Sequence, residues 1–399
     1  MSKRFVDPFF PNRPVDDPSR FTGRSDQVDE VVDSLYQVAN DNPKHTIITG
    51  DRGIGKSSLL LQTRNLAEGQ NALTDRLEIE LGVSEYNFIT LWHDADYDQA
   101  PGDITLGILR ELDGELRNAF KNIDLKLNIS GFLEISQKSK ETHSISELVG
   151  EFCRRLEGAA NKAKAKGRDG ILLFIDELDR VDPESGIGSF FKLSSEKMNR
   201  EGVKNVAFFC AGITGAVQTL EEDHESISRT FRDIRIPLLS EDETESILVN
   251  GFDELGVKYD KGVPELVYEL ANGFPEPVHL LGSEMLSVEH GGYITKDDFA
   301  EAKEKVVGDV KRNKLASLLQ KAGSGKYQTI LDAMAQYEKR EVPLRHISDV
   351  TGYEQNQYSS NMGTLIERSI IKRVDTGIYS FVDPLLKVYI QSFGVRDST

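Results

Sequence analysis

In the first 236 residues, short apolar runs alternate with longer segments whose apolar residues recur at helical spacing. The apolar runs are β-branched or aromatic and bounded by turn residues, which is typical of buried strands. They occupy residues 46–49, 87–92, 170–175 and 206–211. The helical spacing is clear in residues 26–39, where valines and a leucine repeat on one face. Strands that alternate with helices predict an α/β fold with a parallel sheet covered on both faces.

The strand pattern stops at Ile236-Pro237, and residues from about 240 to 320 are mostly helical. The remaining residues show three short helices and then two strands, the order of a winged helix-turn-helix. The first 18 residues contain four prolines, which block helix and ladder pairing and predict an extended arm on a surface. We therefore predict four parts: an arm at 1–20, an α/β nucleotide-binding domain at 21–236, a helical lid at 237–320 and a winged helix at 321–399.

The composition is typical of a globular protein, with 38% hydrophobic and 29% charged residues. No apolar stretch approaches the roughly 18 residues of a membrane-spanning helix, and the N-terminus lacks the apolar core of a secretory signal. The two cysteines lack metal-ligand spacing and indicate buried thiols in a reducing compartment. We expect a cytoplasmic protein without a membrane partner.

The net charge of −18 argues against a protein whose whole surface coats nucleic acid. The residues from Lys321 onward are nearly neutral, with ten Lys or Arg against nine Asp or Glu. Any contact with DNA is therefore expected in the C-terminal segment.

A glycine-rich loop between a predicted strand and a predicted helix carries the strongest chemical signal. It reads Gly50-Asp51-Arg52-Gly53-Ile54-Gly55-Lys56-Ser57 and matches the P-loop pattern G-x-x-x-x-G-K-S. Glycines allow the backbone N–H groups to approach phosphates closely, and the helix N-terminus adds a positive dipole end. Lys56 is expected at the β- and γ-phosphates, the Ser57 hydroxyl on Mg²⁺, and Ser58 beside the nucleotide. The loop predicts that ATP and Mg²⁺ bind here, against the alternative of a chance glycine-rich turn.

A second acidic motif ends the strand at 170–175. Asp176 and Glu177 follow this strand, so they lie at the sheet edge where ligands of open α/β sheets bind. We predict that Asp176 holds the Mg²⁺ that Ser57 also contacts, and that Glu177 activates the attacking water. The alternative is a solvated acid pair at a strand end. Asp179 and Arg180 are predicted to form a local ion pair.

Together these motifs resemble those of the AAA+ ATPases. The segments that carry the resemblance are Phe21-Thr22-Gly23-Arg24, the P-loop and Ile175-Asp176-Glu177-Leu178-Asp179. The chain is most similar to the origin-recognition and helicase-loader branch and to its relatives among the signal-transduction (STAND) NTPases. The C-terminal segment 379–390 resembles the wing and last helix of those relatives.

The resemblance implies roles for further residues. Phe21, Gly23 and Arg24 would lie beside the adenine. Thr214 would contact the γ-phosphate and the attacking water, although it also suits a turn cap. Arg229 would act as an arginine finger toward a neighbouring subunit, with a solvated basic face as the alternative. The segment 273–278 resembles the lid motif but lacks its usual arginine. The lid would then not sense the γ-phosphate, or His279 would do so in place of the arginine.

The fold class expected from these observations is a P-loop NTPase parallel sheet with a helical lid and a C-terminal winged helix-turn-helix. The expected function is an ATP-hydrolysing molecular switch of AAA+/STAND type that works as a homo-oligomer or with a partner protein. The winged helix would contact DNA or protein; the polar face of its third helix carries no cation, so phosphate contacts would depend on Arg368, Lys372 and Arg373. A DNA-binding initiator or loader that uses ATP as a structural cofactor stays open, as does a scaffold that binds ATP without turnover.

Overall fold

The computed structural model describes residues 5–97, 99–119, 145–213 and 230–395. The chain forms two compact units. We call the described residues between Pro14 and Pro237 the sheet unit, and those among Met1–Arg13 and Leu238–Thr399 the helical unit. No helix in the described ranges combines the length and apolarity needed to cross a membrane.

The sheet unit is built on five parallel strands in the order β2-β3-β4-β1-β5. The strands are β1 His45–Gly50, β2 Ile89–Asp94, β3 Ile171–Asp176, β4 Val206–Ile213 and β5 Phe231–Arg235. The helices are α1 Ser25–Ala39, α2 Lys56–Ala67, α3 Ala72–Leu77, α4 Pro101–Ala119, α5 Ser146–Ala165 and α6 Ile187–Glu201. The predicted α/β class with a parallel sheet is confirmed.

The strand order brings the two predicted phosphate motifs to the same edge of the sheet. Every residue of β1 and of β3 is buried, which explains why both strands are continuous apolar or β-branched runs. A single strand, β4, separates them. Because all strands run parallel, the residues that follow β1, β2 and β3 lie at the same carboxyl edge of the sheet.

The sequence pattern did not single out β5. Its five residues include Arg232, Asp233 and Arg235, and only Phe231 and Ile234 are buried, so the apolar signal is weak. Asp233 and Arg232 make tertiary contacts. The Thr49 hydroxyl donates to Asp233 at 2.6 Å, and Arg232 pairs with two acids of α1. A strand of this composition is specified by its neighbours rather than by its own pattern.

The helical unit contains nine α-helices among its described residues, and a π-helix at Val306–Val310. The α-helices are α7 Glu241–Glu254, α8 Val263–Ala271, α9 Pro275–Val288, α10 Lys296–Lys305, α11 Arg312–Ala322, α12 Lys326–Gln336, α13 Leu344–Thr351, α14 Gln355–Glu367 and α15 Pro384–Phe393. Two small sheets accompany them: β6 Lys258–Tyr259 with β7 Tyr293–Ile294, and β8 Val342–Pro343, β9 Ile371–Asp375 and β10 Ile378–Phe381 in the order β8-β10-β9. The sequence α12, β8, α13, α14, β9, β10 has the element order of a winged helix. One hydrophobic core runs from Leu239 to Val395, so a boundary at 320 stays a prediction.

The N-terminal arm is more than a surface strand. Phe9 is only 4% exposed and belongs to the core of the helical unit, where its ring lies against Phe252. Gly251 and Gly282 leave the space for this ring, because a Cβ atom at either position would overlap it. The prediction that the arm lies on a surface is therefore wrong for Phe9. The prolines indicated an extended backbone, but its apolar side chains decide what that backbone packs against.

Candidate functional site

The P-loop connects the end of β1 to the start of α2. Gly53 and Gly55 have φ angles of 77° and 102°, in the left-handed region that favours glycine. Gly55 is the N-cap of α2. Because glycine has no side chain, no N-cap side chain accepts a hydrogen bond from the N–H groups of the first turn. Such N–H groups, together with the helix dipole, favour an anion. The loop therefore has the backbone of a phosphate-binding cradle.

Lys56 lies over this loop. Its Nζ donates to the carbonyl oxygens of Gly50 and Asp51, both at 3.0 Å. Burial lowers the pKa of Lys56, and the carboxylates of Asp179, Asp176 and Asp51 act in the opposite direction. The ammonium group is therefore held at the loop among acids, where it can meet an incoming polyphosphate.

Asp176 lies close enough to Ser57 and Lys56 of the P-loop for both side chains to lower its pKa. The N–H of Glu177 donates to Oδ1 of Asp176 at 2.8 Å. Asp176 is only 6% exposed. Burial raises the pKa of Asp176, while Ser57 and the Glu177 N–H lower it in part. The structure thus brings together the two motifs that lie about 120 residues apart in the sequence.

Glu177 follows Asp176 in an uncommon backbone conformation, with φ 56°. A non-glycine residue in the left-handed region costs about 1 kcal/mol or more and often occurs at functional sites. Its Oε2 lies 2.8 Å from Nη1 of Arg180. Burial raises the pKa of Glu177 and Arg180 lowers it. The predicted pair of Asp179 with Arg180 is wrong, because Arg180 pairs with Glu177.

The sequence analysis missed Asp94. The predicted strand ended at 92, whereas β2 continues to Asp94, which lies beside Asp176 in the sheet register. The indole N–H of Trp92 donates to the Asp94 carboxylate at 2.8 Å. Burial is the largest cause of the raised pKa of Asp176, and the nearby charge of Asp94 raises it further. The signal was available in the sequence: Asp94 lies two residues past an apolar run, much as Asp176 directly follows one.

The predicted adenine contacts lie in the segment before α1. Gly23 and Arg24 both have left-handed backbones, with φ of 68° and 66°. The Arg24 side chain is buried, and its Nη2 donates to the carbonyl of Ile54 in the P-loop at 3.4 Å. Phe21 is buried, and its carbonyl accepts a hydrogen bond from Arg76. The segment therefore contacts the P-loop, and a role at adenine stays a prediction.

The other predicted nucleotide contacts differ in their surroundings. Arg52 is exposed, while Ile54 is buried and fixes Gly50, where a Cβ would lie 2.8 Å from the Ile54 methyl group. The Ser58 hydroxyl accepts from the N–H of Val15 at 3.0 Å. The Ser58 side chain thus holds the chain segment at Val15 in place. The group that Ser58 would offer to a nucleotide is its backbone N–H.

Two residues named from the resemblance, Thr214 and Arg229, lie outside the described residues. His279, in the helical unit, is buried against Phe10, and its Nδ1 accepts the Phe10 N–H at 3.3 Å. Burial lowers the pKa of His279 to about 4, so near neutral pH it is uncharged and supplies no cation to a phosphate.

Comparisons with known proteins concern the domain family and the fold. Residues 20–189 match the family of the AAA ATPase domain. No curated protein matches the chain significantly. The solved Walker-type ATPase of Pyrococcus abyssi is similar over 95% of this chain and 98% of its own, with 17% identity and a TM-score of 0.60. The ORC2 protein of Aeropyrum pernix, solved in ADPNP–ADP complexes, is similar over 93% of each chain, with 13% identity and a TM-score of 0.51. At these identities the structural likeness shows the fold alone.

Proposed function

From the premise that this chain carries an AAA+ ATPase domain in residues 20–189, we propose that it is a molecular switch that binds and hydrolyses ATP. The observation that supports the proposal most is that the strand order brings Asp176, the acid after β3, to the same sheet edge as the P-loop, where Ser57 and Lys56 lower its pKa. Two motifs distant in sequence are thereby available to one phosphate group.

The phosphates would lie on the N–H groups of residues 53–57, at the start of α2. Lys56 would exchange its bonds to the Gly50 and Asp51 carbonyls for the β- and γ-phosphate oxygens. This exchange replaces neutral acceptors with charged ones, which form stronger hydrogen bonds. Binding therefore favours a polyphosphate over a neutral ligand.

The oxygen atoms of Ser57 and Asp176 suit Mg²⁺, which prefers hard oxygen ligands and usually takes one or two from the protein. Ser57 and Asp176 would hold the metal, which when bound would supply positive charge that stabilises the negative charge on the phosphates. Glu177, adjacent to Asp176, would accept a proton from the attacking water. Asp94 would add negative charge beside Asp176 and so favour a divalent cation there.

The proposal extends to oligomerisation and to the winged helix. Arg229 would complete the site of a neighbouring subunit, and Thr214 would contact the γ-phosphate. The element order of residues 326–381 supports a winged-helix module. Arg368 donates to the carbonyl of Ala322 at 2.8 Å and lies over the Tyr327 ring, so this cation is occupied within the fold. We therefore favour a protein partner for this module; salt-dependent DNA binding at low ionic strength would contradict that choice.

The proposal is tested with Lys56→Ala and Glu177→Gln. We expect Lys56→Ala to weaken ATP binding about 10- to 100-fold, as the loss of charged hydrogen bonds implies. Glu177→Gln should bind ATP normally but hydrolyse it at least about 100-fold more slowly. Glu196→Gln is the matched control, because Glu196 is an exposed carboxylate on α6 with its own ion pair.

Both measurements are made with and without Mg²⁺, and light scattering with a slowly hydrolysed ATP analogue reports assembly. A parent protein that binds ATP but does not hydrolyse it in any assembly state would leave the scaffold hypothesis in its place. Unchanged ATP affinity in Lys56→Ala would show that the site itself is wrong.

A further inference from the structure

The turn after β3 brings a cation to the side chain proposed as the base. Leu178–Arg180 is a 3₁₀ turn, and the Arg180 N–H donates to the Glu177 carbonyl at 2.8 Å. Residues three apart in such a turn share one side. The left-handed backbone of Glu177 starts this turn directly at the strand end. The local backbone therefore places the Arg180 guanidinium 2.8 Å from the Glu177 carboxylate.

The same turn directs a different acid toward the P-loop. Among the charged groups that act on Lys56, Asp179 has the largest effect, ahead of Asp176. Lys56 marks the place where the phosphates are expected. The two acids of the turn thus act on different cations: Asp179 raises the pKa of Lys56, and the Glu177 carboxylate pairs with Arg180.

We propose that Arg180 is a positioning residue that holds Glu177 in a resting orientation, from which it is released before it takes a proton from water. The inference rests on the proposed function, in which Glu177 is the general base. A general base has to present an oxygen to the water within hydrogen-bond distance. An ion pair with Arg180 competes with that geometry and favours the resting one.

The strength of the pair sets the size of the effect. The Arg180 and Glu177 side chains are 48% and 40% exposed, so solvent screens the pair. Exposed ion pairs contribute little, and their loss shifts the population of a bound side chain by about two- to fivefold. Arg180 therefore acts as a weak brake, which a conformational change or a partner releases easily.

The test compares Arg180→Gln, which removes the charge, with Arg180→Lys, which keeps it. Steady-state ATP hydrolysis gives kcat and KM separately for each protein. We expect Arg180→Gln to raise kcat about two- to fivefold with KM unchanged, and Arg180→Lys to stay near the parent value. Arg154→Gln is the matched control, because Arg154 also pairs with a glutamate three residues away, on α5. It should change neither quantity.

An unchanged or lower kcat in Arg180→Gln would overturn the inference, as would an equal rise in Arg180→Lys. If Arg180→Gln does not fold, Arg180→Met replaces it, because methionine keeps the apolar stem without the charge. Glu177→Gln separates the two levels of the argument. If it hydrolyses ATP as fast as the parent, the proposed function fails and the inference with it; if it is inactive and Arg180→Gln is not faster, only the inference fails.

Discussion

Acidification should destabilise the sheet unit through one buried histidine. His45, in β1, is 3% exposed and lies between the rings of Phe208 and Phe231. Its Nδ1 accepts the Phe208 N–H at 3.1 Å, so the ring is held in its neutral form. Burial lowers the pKa of His45 to about 4 from an ordinary value of 6.5. Below pH 6.5 the His45 ring binds a proton in the unfolded chain but not in the folded chain. The free energy of unfolding therefore falls as the pH decreases from 6.5 to 4.

The magnitude follows from linkage. A pKa difference between about 4 and 6.5 lowers the free energy of unfolding by about 2 kcal/mol at pH 5 and by about 3 kcal/mol at pH 4 and below. Most of this pH dependence should vanish in His45→Asn, whose side-chain oxygen can accept the same N–H bond and does not titrate.

The assay is urea unfolding at pH 7 and pH 5, followed by tryptophan fluorescence. Trp92 is the only tryptophan of the chain and lies in the sheet unit, on β2, so its signal reports that unit. His279→Asn is the matched control, because His279 is equally buried but belongs to the helical unit. It should leave the pH dependence of the Trp92 transition unchanged. A loss of stability between pH 7 and pH 5 that is as large in His45→Asn as in the parent would refute the reasoning.

Two further predictions concern packing and backbone. Phe9→Ala should lower the free energy of unfolding of the helical unit by about 3–5 kcal/mol, because it leaves a cavity against Phe252. Thermal unfolding followed by circular dichroism measures this loss. The control is Val6→Ala, at a position 80% exposed, which should lower the free energy of unfolding by less than about 0.5 kcal/mol. Gly55→Ala should weaken ATP binding while the fold persists, since a Cβ there meets nothing within 4 Å but the φ of 102° is strained for alanine. Isothermal titration calorimetry checks the affinity, and Gly114→Ala, an open position in α4, is expected to bind ATP normally. Normal ATP affinity in Gly55→Ala would contradict the assigned role of this loop.

Sequence reasoning recovered the parts of the site that are local in the chain. The P-loop is a strand, a glycine turn and a helix start within 23 residues, 45–67, and each piece has its own signal. The AAA+ resemblance and the parallel α/β sheet are confirmed. The pairing of Arg180 was predicted wrongly although it too is local. Adjacent residues of a helical turn point apart and residues three apart meet, so Glu177 rather than Asp179 was the partner to expect.

The amino-acid sequence by itself determined four of the five strands of the large sheet, the helix after the P-loop and the place where a phosphate can bind, because periodicity, glycine conformations and helix termini are properties of short segments. Only the tertiary structure decided that Asp94 lies beside Asp176, that β5 completes the sheet and that Phe9 enters the core of the helical unit. These three features depend on contacts between residues far apart in the chain. Their stability comes from strand order and buried area, which no single segment encodes.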